Sequence, residues 1–474
     1  MSHNRSIVMK KRVLTTIFSA AAFTSLNAQE RPNIVFIITD DLGYGDLSCY
    51  GQEKFETPNI DRLALHGTRF TRSYSGTTVS APSRASLMTG LHTGHSPIRG
   101  NREVQPEGQA PLPVDTYTLF HLFKDAGYTT GAFGKWGLGY PGSIGEPNNQ
   151  GVDEFYGYNC QRLAHNYYPD HLWHNQTKIA LPENDDGQFG AYSQDLIQTK
   201  TLEFIDRHAK DPFFLFVPMP LPHAELVVPD DSIMLQFKGR YSETPYKGVD
   251  SGSNFRTGGY MSQEYPRATF AAMVTRIDVY VGQIVEKLKE RGIYENTLIL
   301  FTSDNGPHLE GGADPDFFNS NGIYRGYKRD LYEGGIRVPT IISWQGRIPA
   351  GEKSDFAFAF WDYLLTFADL LNIDAPENTD GISILPILLS KEGQVDHDYL
   401  YFEFQEMGGR QAVIKGNWKL LHLDIRKGGM YELYNLASDP SENHNLIDLN
   451  PQKTTELKEI MKNARTDDPN WPLF

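Results

Sequence analysis

Runs of consecutive apolar residues and stretches with helical spacing alternate along the first two-thirds of the chain. The apolar runs cover residues 33–38, 212–217 and 297–301, and the stretches with helical spacing cover 58–66, 116–126 and 265–292. Continuous apolar, β-branched runs are typical of strands buried on both faces of a parallel sheet. The alternation therefore predicts an α/β fold with a large, mixed but mostly parallel sheet sandwiched by helices.

The pattern changes after Gly351. A helical stretch at 355–371 is followed by short strand-like segments, and a second helical stretch closes the chain; the strand-like segments cover 399–404, 411–414, 418–421 and 431–436, and the last helix 451–464. Glycine pairs such as Gly408-Gly409 separate these segments, as in antiparallel hairpins. We therefore predict an N-terminal domain over residues 29–352 and a smaller subdomain over 353–474, with an antiparallel sheet and a terminal helix.

The N-terminus has the three parts of a secretory signal peptide. Basic residues at 10–12 precede an apolar run at 13–23, and small residues lead to Ala28. The apolar run is too short to span a membrane, and no later run approaches a spanning length. We expect residues 1–28 to be removed and the mature protein to be exported, periplasmic or secreted, with no transmembrane anchor.

Charge and cysteine count exclude several classes of protein. The formal net charge is −15, and removal of residues 1–28, which hold four basic residues and no acidic one, lowers it to about −19. Nucleic acid is a poor partner for such a chain. The two cysteines, Cys49 and Cys160, could pair in an oxidising compartment, but they make neither a disulfide framework nor a zinc site.

Two of the predicted strands end in pairs of oxygen-bearing side chains. Asp40-Asp41 follows the run at 33–38, and Asp304-Asn305 follows the run at 297–301. Either pair alone could simply cap a turn. Because the carboxyl ends of parallel strands share one edge of a sheet, both pairs together indicate a site for a hard cation, Ca²⁺ or Mg²⁺.

Ser80-Ala81-Pro82-Ser83-Arg84 stands where a loop turns into a helix. A serine N-cap and a proline in the first turn explain Ser80 or Pro82, but not Arg84. The helix start would point free backbone N–H groups and the positive end of its dipole at an anion. Arg84, about one turn after Ser80, could reach back to it.

These residues resemble a known family when they are taken with the other motifs of the chain. The motifs are Asp40-Asp41, Ser80-Ala81-Pro82-Ser83-Arg84 followed by Ala85-Ser86-Leu87-Met88-Thr89-Gly90, Gly134-Lys135-Trp136, Pro222-His223, Ser303-Asp304-Asn305-Gly306, Lys328, Tyr332-Glu333-Gly334-Gly335-Ile336-Arg337-Val338-Pro339, and Glu432-Leu433-Tyr434 with Asp439-Pro440. Their order is similar to that of the formylglycine-dependent sulfatases in the alkaline-phosphatase-like superfamily. The resemblance covers nearly all of the predicted mature chain.

The resemblance implies a sulfuric ester hydrolase in which Ser80 is oxidised to formylglycine by a serine-type maturase. The hydrated aldehyde carries two hydroxyls, so that one attacks sulfur and the other allows sulfate to be expelled. Implied ligands of a calcium ion, with magnesium as the alternative, are Asp40, Asp41, Ser80, Asp304 and Asn305. Implied catalytic residues are Ser80, Arg84, Lys135, His223 and Lys328, with His223 serving the leaving group and His308 behind the residues that contact the sulfate.

Two residues depart from the family pattern. Many members carry a histidine two residues after the lysine of the Gly-Lys-Trp motif, where this chain has Gly137. We hypothesise that His165, in the next long loop, fills that space. Ser80 stands where most members have cysteine, as in bacterial enzymes matured by an anaerobic radical system.

The substrate is expected to be a sulfated saccharide. Loop aromatics could stack on sugar rings, and Arg99, Asn101, Arg102, His165 and His308 are the candidate substrate-binding residues. The segment from Gly137 to Pro169 resembles bacterial sulfatases that act on galactose or N-acetylgalactosamine sulfates of glycosaminoglycans or algal galactans. Two alternatives stay open: a phosphomonoesterase or phosphodiesterase of the same superfamily, and a non-catalytic sulfated-glycan binder if Ser80 is not oxidised.

Overall fold

The three apolar runs form adjacent strands at the centre of one large sheet. The structure, a computed structural model, describes residues 31–256 and 259–474. Within them, ten strands make a sheet in the order β11-β2-β10-β9-β1-β8-β4-β5-β6-β7. These strands are β1 (Asn33–Thr39), β2 (Thr68–Phe70), β4 (Thr129–Lys135), β5 (Glu154–Tyr158), β6 (His171–His174), β7 (Thr177–Ala180), β8 (Phe213–Met219), β9 (Thr297–Ser303), β10 (Thr340–Ser343) and β11 (Glu352–Ser354).

Strand β1 lies between β8 and β9 and is parallel to both, with Thr39 opposite Met219 on one side and Ser303 on the other. Every residue of the three strands is buried. The predicted buried strands are therefore confirmed. Because β1 and β9 are in register, the residues that follow Thr39 and Ser303 leave the sheet side by side.

Helices cover both faces of this sheet, as predicted. The helices of the described residues are α1 (Pro58–Leu65), α2 (Ser80–Thr89), α3 (Leu119–Asp125), α4 (Ser193–His208), α5 (Ser232–Leu235), α6 (Pro266–Glu290), α7 (Pro315–Phe318), α8 (Glu333–Ile336), α9 (Asp362–Leu371), α10 (Leu385–Leu388) and α11 (Pro451–Asn463). Val35 and Ile37 pack in one core with α1, α4 and α6. Ile34, Phe36 and Ile38 pack in another with α2, α3 and α9. Successive side chains of β1 point to opposite faces of the sheet and therefore contribute to two apolar cores.

The second sheet predicted near the C-terminus is present. It is antiparallel, in the order β13-β14-β15-β16, and α11 packs against it. Its strands are β13 (Leu400–Phe404), β14 (Arg410–Lys415), β15 (Trp418–Leu423) and β16 (Met430–Asn435), and a two-stranded pair joins β3 (Ser73–Tyr74) to β12 (Phe358–Ala359). The helix predicted at 355–371 is present only over Asp362–Leu371 as α9, because Phe358–Ala359 forms β12. Helix α9 packs on the main sheet rather than on this smaller one.

Three further expectations concern the chain as a whole. Cys49 and Cys160 are free thiols, so the pairing left open is not formed. Among the described helices, none combines the length and the apolar character needed to cross a membrane. The predicted signal peptide, residues 1–28, lies outside the described residues.

A fully buried ion cluster ties the small sheet to the main domain. Lys419 Nζ on β15 lies 2.9 Å from Glu333 Oε1 on α8 and 2.9 Å from Glu442 Oε1. Glu333 Oε2 also accepts hydrogen bonds from Tyr74 and Arg337, each at 3.0 Å. Breaking a buried pair from one side is costly because the remaining charge has no partner and no water.

We predict that Lys419→Met lowers the free energy of unfolding by about 3–5 kcal/mol, since two buried carboxylates lose their shared cation. The matched control is Lys415→Met on β14, whose exposed pair with Glu456 at 3.1 Å is worth less than about 1 kcal/mol. Urea unfolding monitored by tryptophan fluorescence compares the two. Equal destabilisation by both variants would contradict the assignment.

Candidate active site

The acidic residues predicted to share one sheet edge do so. Asp40 and Asp41 follow β1, Asp304 follows β9, and one carboxylate oxygen from each lies within 4.8 Å of the others. All three residues are completely buried. Asp41 has φ 64°, and its backbone N–H donates to Asp304 Oδ1 at 3.1 Å, so the chain turns sharply to hold the carboxylates together.

The donor set fits a hard cation. Asn305 Nδ2 donates to Asp41 Oδ1 at 2.7 Å and to the Gly306 carbonyl at 2.9 Å, while the buried Asn305 Oδ1 has no hydrogen-bond partner among the described residues. Burial, together with the charge of Asp40, raises the pKa of Asp304 to about 7. Three carboxylates and a free amide oxygen form an oxygen-only ligand set of the kind that Ca²⁺ or Mg²⁺ takes.

Ser80 stands beside this cluster because it opens α2. Val79 is extended and supplies no side-chain cap, so the first backbone N–H groups of the helix are not satisfied by a capping residue. Ser80 Oγ donates to Asp40 Oδ1 at 2.9 Å, and the Ala81 N–H donates to Asn101 Oδ1 at 3.0 Å. The helix dipole therefore presents its positive end next to Ser80.

Arg84 is in the site but holds a different group from the one expected. Its Nε and Nη2 donate to Asp304 Oδ2 at 3.1 and 2.9 Å, and Nη1 donates to the Lys135 carbonyl at 2.7 Å. The expected contact with Ser80 is replaced because the guanidinium fork is filled by a carboxylate and a carbonyl. Arg84 thus orients Asp304 and the end of β4.

Lys135, at the end of β4, and the acidic cluster stabilise each other's charged forms. Its Nζ contacts Asp40 Oδ2 and lies 3.5 Å from Ser80 Oγ. Burial alone would raise the pKa of Asp40, but Lys135, His223 and Arg84 outweigh burial and hold it well below its usual value. Burial lowers the pKa of Lys135, so its ammonium depends on that carboxylate.

Lys328 and His223 lie beside Asp41, on the other side of the cluster from Lys135. Lys328 Nζ lies 2.7 Å from Asp41 Oδ2 and 2.7 Å from His223 Nε2, and His223 Nε2 is 3.2 Å from the same Asp41 oxygen. Burial would lower the pKa of Lys328, but Asp41 and Glu310 reverse this and raise it. Burial and Lys328 push the pKa of His223 well below its usual value, which keeps the imidazole neutral.

His165, His223 and His308 form a stack. The ring centroids of His165 and His223 are 3.9 Å apart at 8°, and those of His223 and His308 are 5.1 Å apart at 16°. Burial, followed by the neighbouring His223, holds the pKa of His165 well below its usual value. The structure therefore brings all three predicted histidines to the site, with His165 stacked on His223.

The candidate substrate-binding residues Arg99, Asn101 and Arg102 lie in two different parts of the structure. Asn101 contacts the start of α2. Arg99, 3% exposed, donates to the Ser96 carbonyl at 3.0 Å and to the Thr466 carbonyl at 2.8 Å, and its Nη1 is 3.4 Å from Glu403 Oε1. Arg102 lies over the Trp471 ring at 4.3 Å. Both arginines thus anchor C-terminal residues instead of facing the acidic cluster.

Sequence reasoning missed two residues beside the histidine stack. The Tyr260 ring lies 6.0 Å from His165 and 6.2 Å from His223, in a long polar loop with no helical or strand period. Glu310 Oε2 is 3.3 Å from His308 Nδ1, and Glu310 also pairs with Arg329. A carboxylate two residues after His308 was the available signal for Glu310, whereas nothing in the sequence marks Tyr260.

The fold and this cluster define a sulfatase, and the chain belongs to the sulfatase family. The sulfatase family profile matches residues 32–373, and a second profile, described as the C-terminal region of N-sulphoglucosamine sulphohydrolase, matches residues 322–467. The protein is accordingly a sulfuric ester hydrolase with an alkaline-phosphatase-like fold.

Individual relatives agree with this class. The chain is 28% identical to an N-acetylgalactosamine-6-O-sulfatase of Bacteroides thetaiotaomicron, over 92% of this chain and 94% of that protein. It is 31% identical to the N-acetylgalactosamine-6-sulfatase of Canis lupus familiaris, over 86% of this chain and 74% of the relative. The crystal structure of Ps i-CgsB in complex with k-i-k-neocarrahexaose has a TM-score of 0.76 and 29% identity, covering 94% of this chain and 95% of that one.

We predict that His165→Ala reduces kcat/KM at least tenfold, because His223 loses the ring that holds it against Lys328 and Asp41. His174→Ala, a half-exposed histidine on β6, is the matched control and should change kcat/KM less than twofold. Steady-state sulfate release measures both variants. Unchanged turnover by His165→Ala would contradict the role assigned to this ring.

Proposed function

We propose that the protein is an exported carbohydrate sulfatase that hydrolyses a sulfate ester of a galactose- or N-acetylgalactosamine-type saccharide, from a glycosaminoglycan or an algal galactan. The observation that carries the proposal is the placement of Ser80 Oγ, 2.9 Å from Asp40 and 3.5 Å from Lys135, within the acidic and cationic cluster. The leader predicted at residues 1–28 supports export.

The proposal includes two groups that the protein must acquire. A formylglycine made from Ser80 by a serine-type maturase would supply, as its hydrate, a nucleophilic hydroxyl and a second hydroxyl for release of sulfate. Calcium would be held by Asp40, Asp41, Asp304, Asn305 and residue 80, and it would supply positive charge at the sulfate oxygens. Calcium is favoured over magnesium because a crowded cage of carboxylates suits its flexible coordination.

The chain's own residues supply the remaining charges. Asp40 Oδ1 accepts a hydrogen bond from the Ser80 hydroxyl and is placed to orient a hydroxyl at residue 80. Lys135, Lys328 and the N-terminus of α2 place positive charge around one anion, which suits a sulfate ester whose leaving oxygen gains charge during cleavage. Arg84 fixes Asp304 and thereby the geometry of the cluster.

His223 and Lys328 can together deliver a proton to the leaving oxygen. His223 Nδ1 lies 2.5 Å from the Ala224 carbonyl and donates to it, which leaves Nε2 as the acceptor that faces Lys328 Nζ at 2.7 Å. The proton between these two nitrogens is the mobile one in this part of the site. An alcohol leaving group needs such a donor because an alkoxide is a poor leaving group.

The sugar class is supported by the relatives. Two of them are named as N-acetylgalactosamine 6-sulfatases, and a neighbour of known structure binds a carrageenan-type oligosaccharide named k-i-k-neocarrahexaose. These names favour a sulfated galactose or N-acetylgalactosamine unit over other sulfate esters.

We predict that the chain expressed with a serine-type maturase releases sulfate from galactose or N-acetylgalactosamine sulfates in a panel that includes 4-O and 6-O isomers and the matching phosphate esters. The tryptic peptide that contains Ser80 should then be lighter by two hydrogen atoms. Chain expressed without the maturase is the control, and it should bind but not turn over. Turnover by unconverted Ser80, or faster release of phosphate than sulfate, would contradict the proposal.

We predict that treatment with EGTA abolishes turnover and lowers the melting temperature, and that Ca²⁺ restores both. Calcium at about 100 times its Kd stabilises the folded state by about 2.7 kcal/mol, because only that state holds the site. Asn305→Ala should abolish this calcium-dependent shift, since it removes the unpartnered amide oxygen. Asn321→Ala is the matched control, with an amide that donates to the Tyr324 carbonyl at 2.7 Å away from the cluster. A full shift in Asn305→Ala would count against the ligand set.

A further inference from the structure

The space next to Gly137 is filled by the side chain of Gln161. Gly137 has φ +79°, and a Cβ placed on it would lie 1.9 Å from Gln161 Nε2. Gly137 comes two residues after Lys135, in the segment that leaves the end of β4. The Gln161 amide occupies that position instead, whereas His165 stacks on His223.

The Gln161 amide is buried without partners. The residue is 5% exposed, and neither Nε2 nor Oε1 has a hydrogen-bond partner among the described residues. Gln109 Nε2 and Asn159 Oδ1, both buried, are also unpartnered in this part of the chain. A buried polar group that is left unsatisfied costs about 1–3 kcal/mol, so three amides of this kind in neighbouring positions indicate a ligand.

Hydrogen bonds hold this amide group against the active site. The Gln161 N–H donates to Gln109 Oε1 at 3.1 Å, and the Gln109 N–H donates to the Gly139 carbonyl at 2.9 Å. The loop that carries Gln109 begins at Asn101, which contacts the first turn of α2, and Gln161 lies four residues before His165. The amides are therefore attached to three segments that also form the catalytic cluster.

The amides of Gln161, Gln109 and Asn159 form one wall of this region, and that wall carries no charge. An amide offers two donors and an acceptor, which match a hydroxyl or acetamido group. Glu107, on the same loop as Gln109, is already bonded to Trp173 Nε1 at 2.6 Å and to His171 Nε2 at 3.0 Å. The nearby cation Arg162 lies 3.7 Å from Glu103. Because Arg162 is already paired, these amides offer a sugar carboxylate no charge partner, and the wall suits a neutral sugar.

We propose that Gln161, held by Gln109, is a specificity-determining residue that hydrogen-bonds an uncharged hydroxyl or acetamido group of the sugar that bears the sulfate ester. This inference rests on the proposed function and assigns its sugar contact to a side chain. Recognition of the sulfate itself stays with Lys135, Lys328 and the helix start. The sugar and the sulfate are thus bound by separate parts of the site.

Binding to the unconverted, calcium-loaded Ser80 protein tests the inference without turnover. Calorimetry uses two probes: inorganic sulfate, and N-acetylgalactosamine 6-sulfate or whichever sugar sulfate of the panel binds most tightly. Gln161→Ala should raise the Kd for the sugar sulfate about tenfold, the effect of one or two lost hydrogen bonds, and should change the Kd for sulfate less than twofold. Gln198→Ala on α4, another buried glutamine amide, is the control and should change neither.

A second variant separates hydrogen bonding from space filling. Gln161→Met keeps the volume beside Gly137 but removes the amide, so it should weaken sugar binding as Gln161→Ala does. Wild-type affinity in Gln161→Met would show that Gln161 only fills space and would overturn the inference, as would equal losses for both probes. Failure of the proposed function looks different, because the wild-type chain would then bind none of the sugar sulfates.

Discussion

Three carboxylates completely buried at one edge of a parallel sheet are the constraint on which the site depends. Asp40, Asp41 and Asp304 are forced together because β1 and β9 run in register and end at the same level. Like charges at this distance and depth repel strongly, so the fold must surround them with positive charge. This requirement accounts for the shell of positively charged side chains around the three carboxylates.

The shell is assembled from distant parts of the chain. Arg84 comes from α2, Lys135 from the end of β4, and Lys328 and His223 from loops that follow β9 and β8. Arg84, Lys135 and Lys328 are each held by a carboxylate of the cluster, and under the proposed function the two lysines would also face an anion that enters it. The same charges therefore serve stability before substrate binds and recognition afterwards.

The smaller sheet is joined to this arrangement by buried contacts. Lys419 forms an ion pair with Glu333 of α8. Arg99, in the segment that follows α2, donates a hydrogen bond to the Thr466 carbonyl. Arginines that sequence reasoning had placed among the substrate contacts thus hold the C-terminal segment. The amides proposed to contact the sugar differ in chemistry from the lysines proposed to bind the sulfate.

The sequence by itself determined the central strands, the helices α1, α2, α3 and α6 around them, the two acidic pairs and the position of Ser80 at a helix start, because these depend on local apolar patterning and turn chemistry. It did not reveal β4, whose two glycines, Gly131 and Gly134, disfavour a strand prediction. Only the tertiary structure decided that Arg84 holds Asp304, that His165 stacks on His223 and that Gln161 covers Gly137. Those contacts join residues far apart in the chain or on different loops, and pairing across such distances is set by packing rather than by any local pattern.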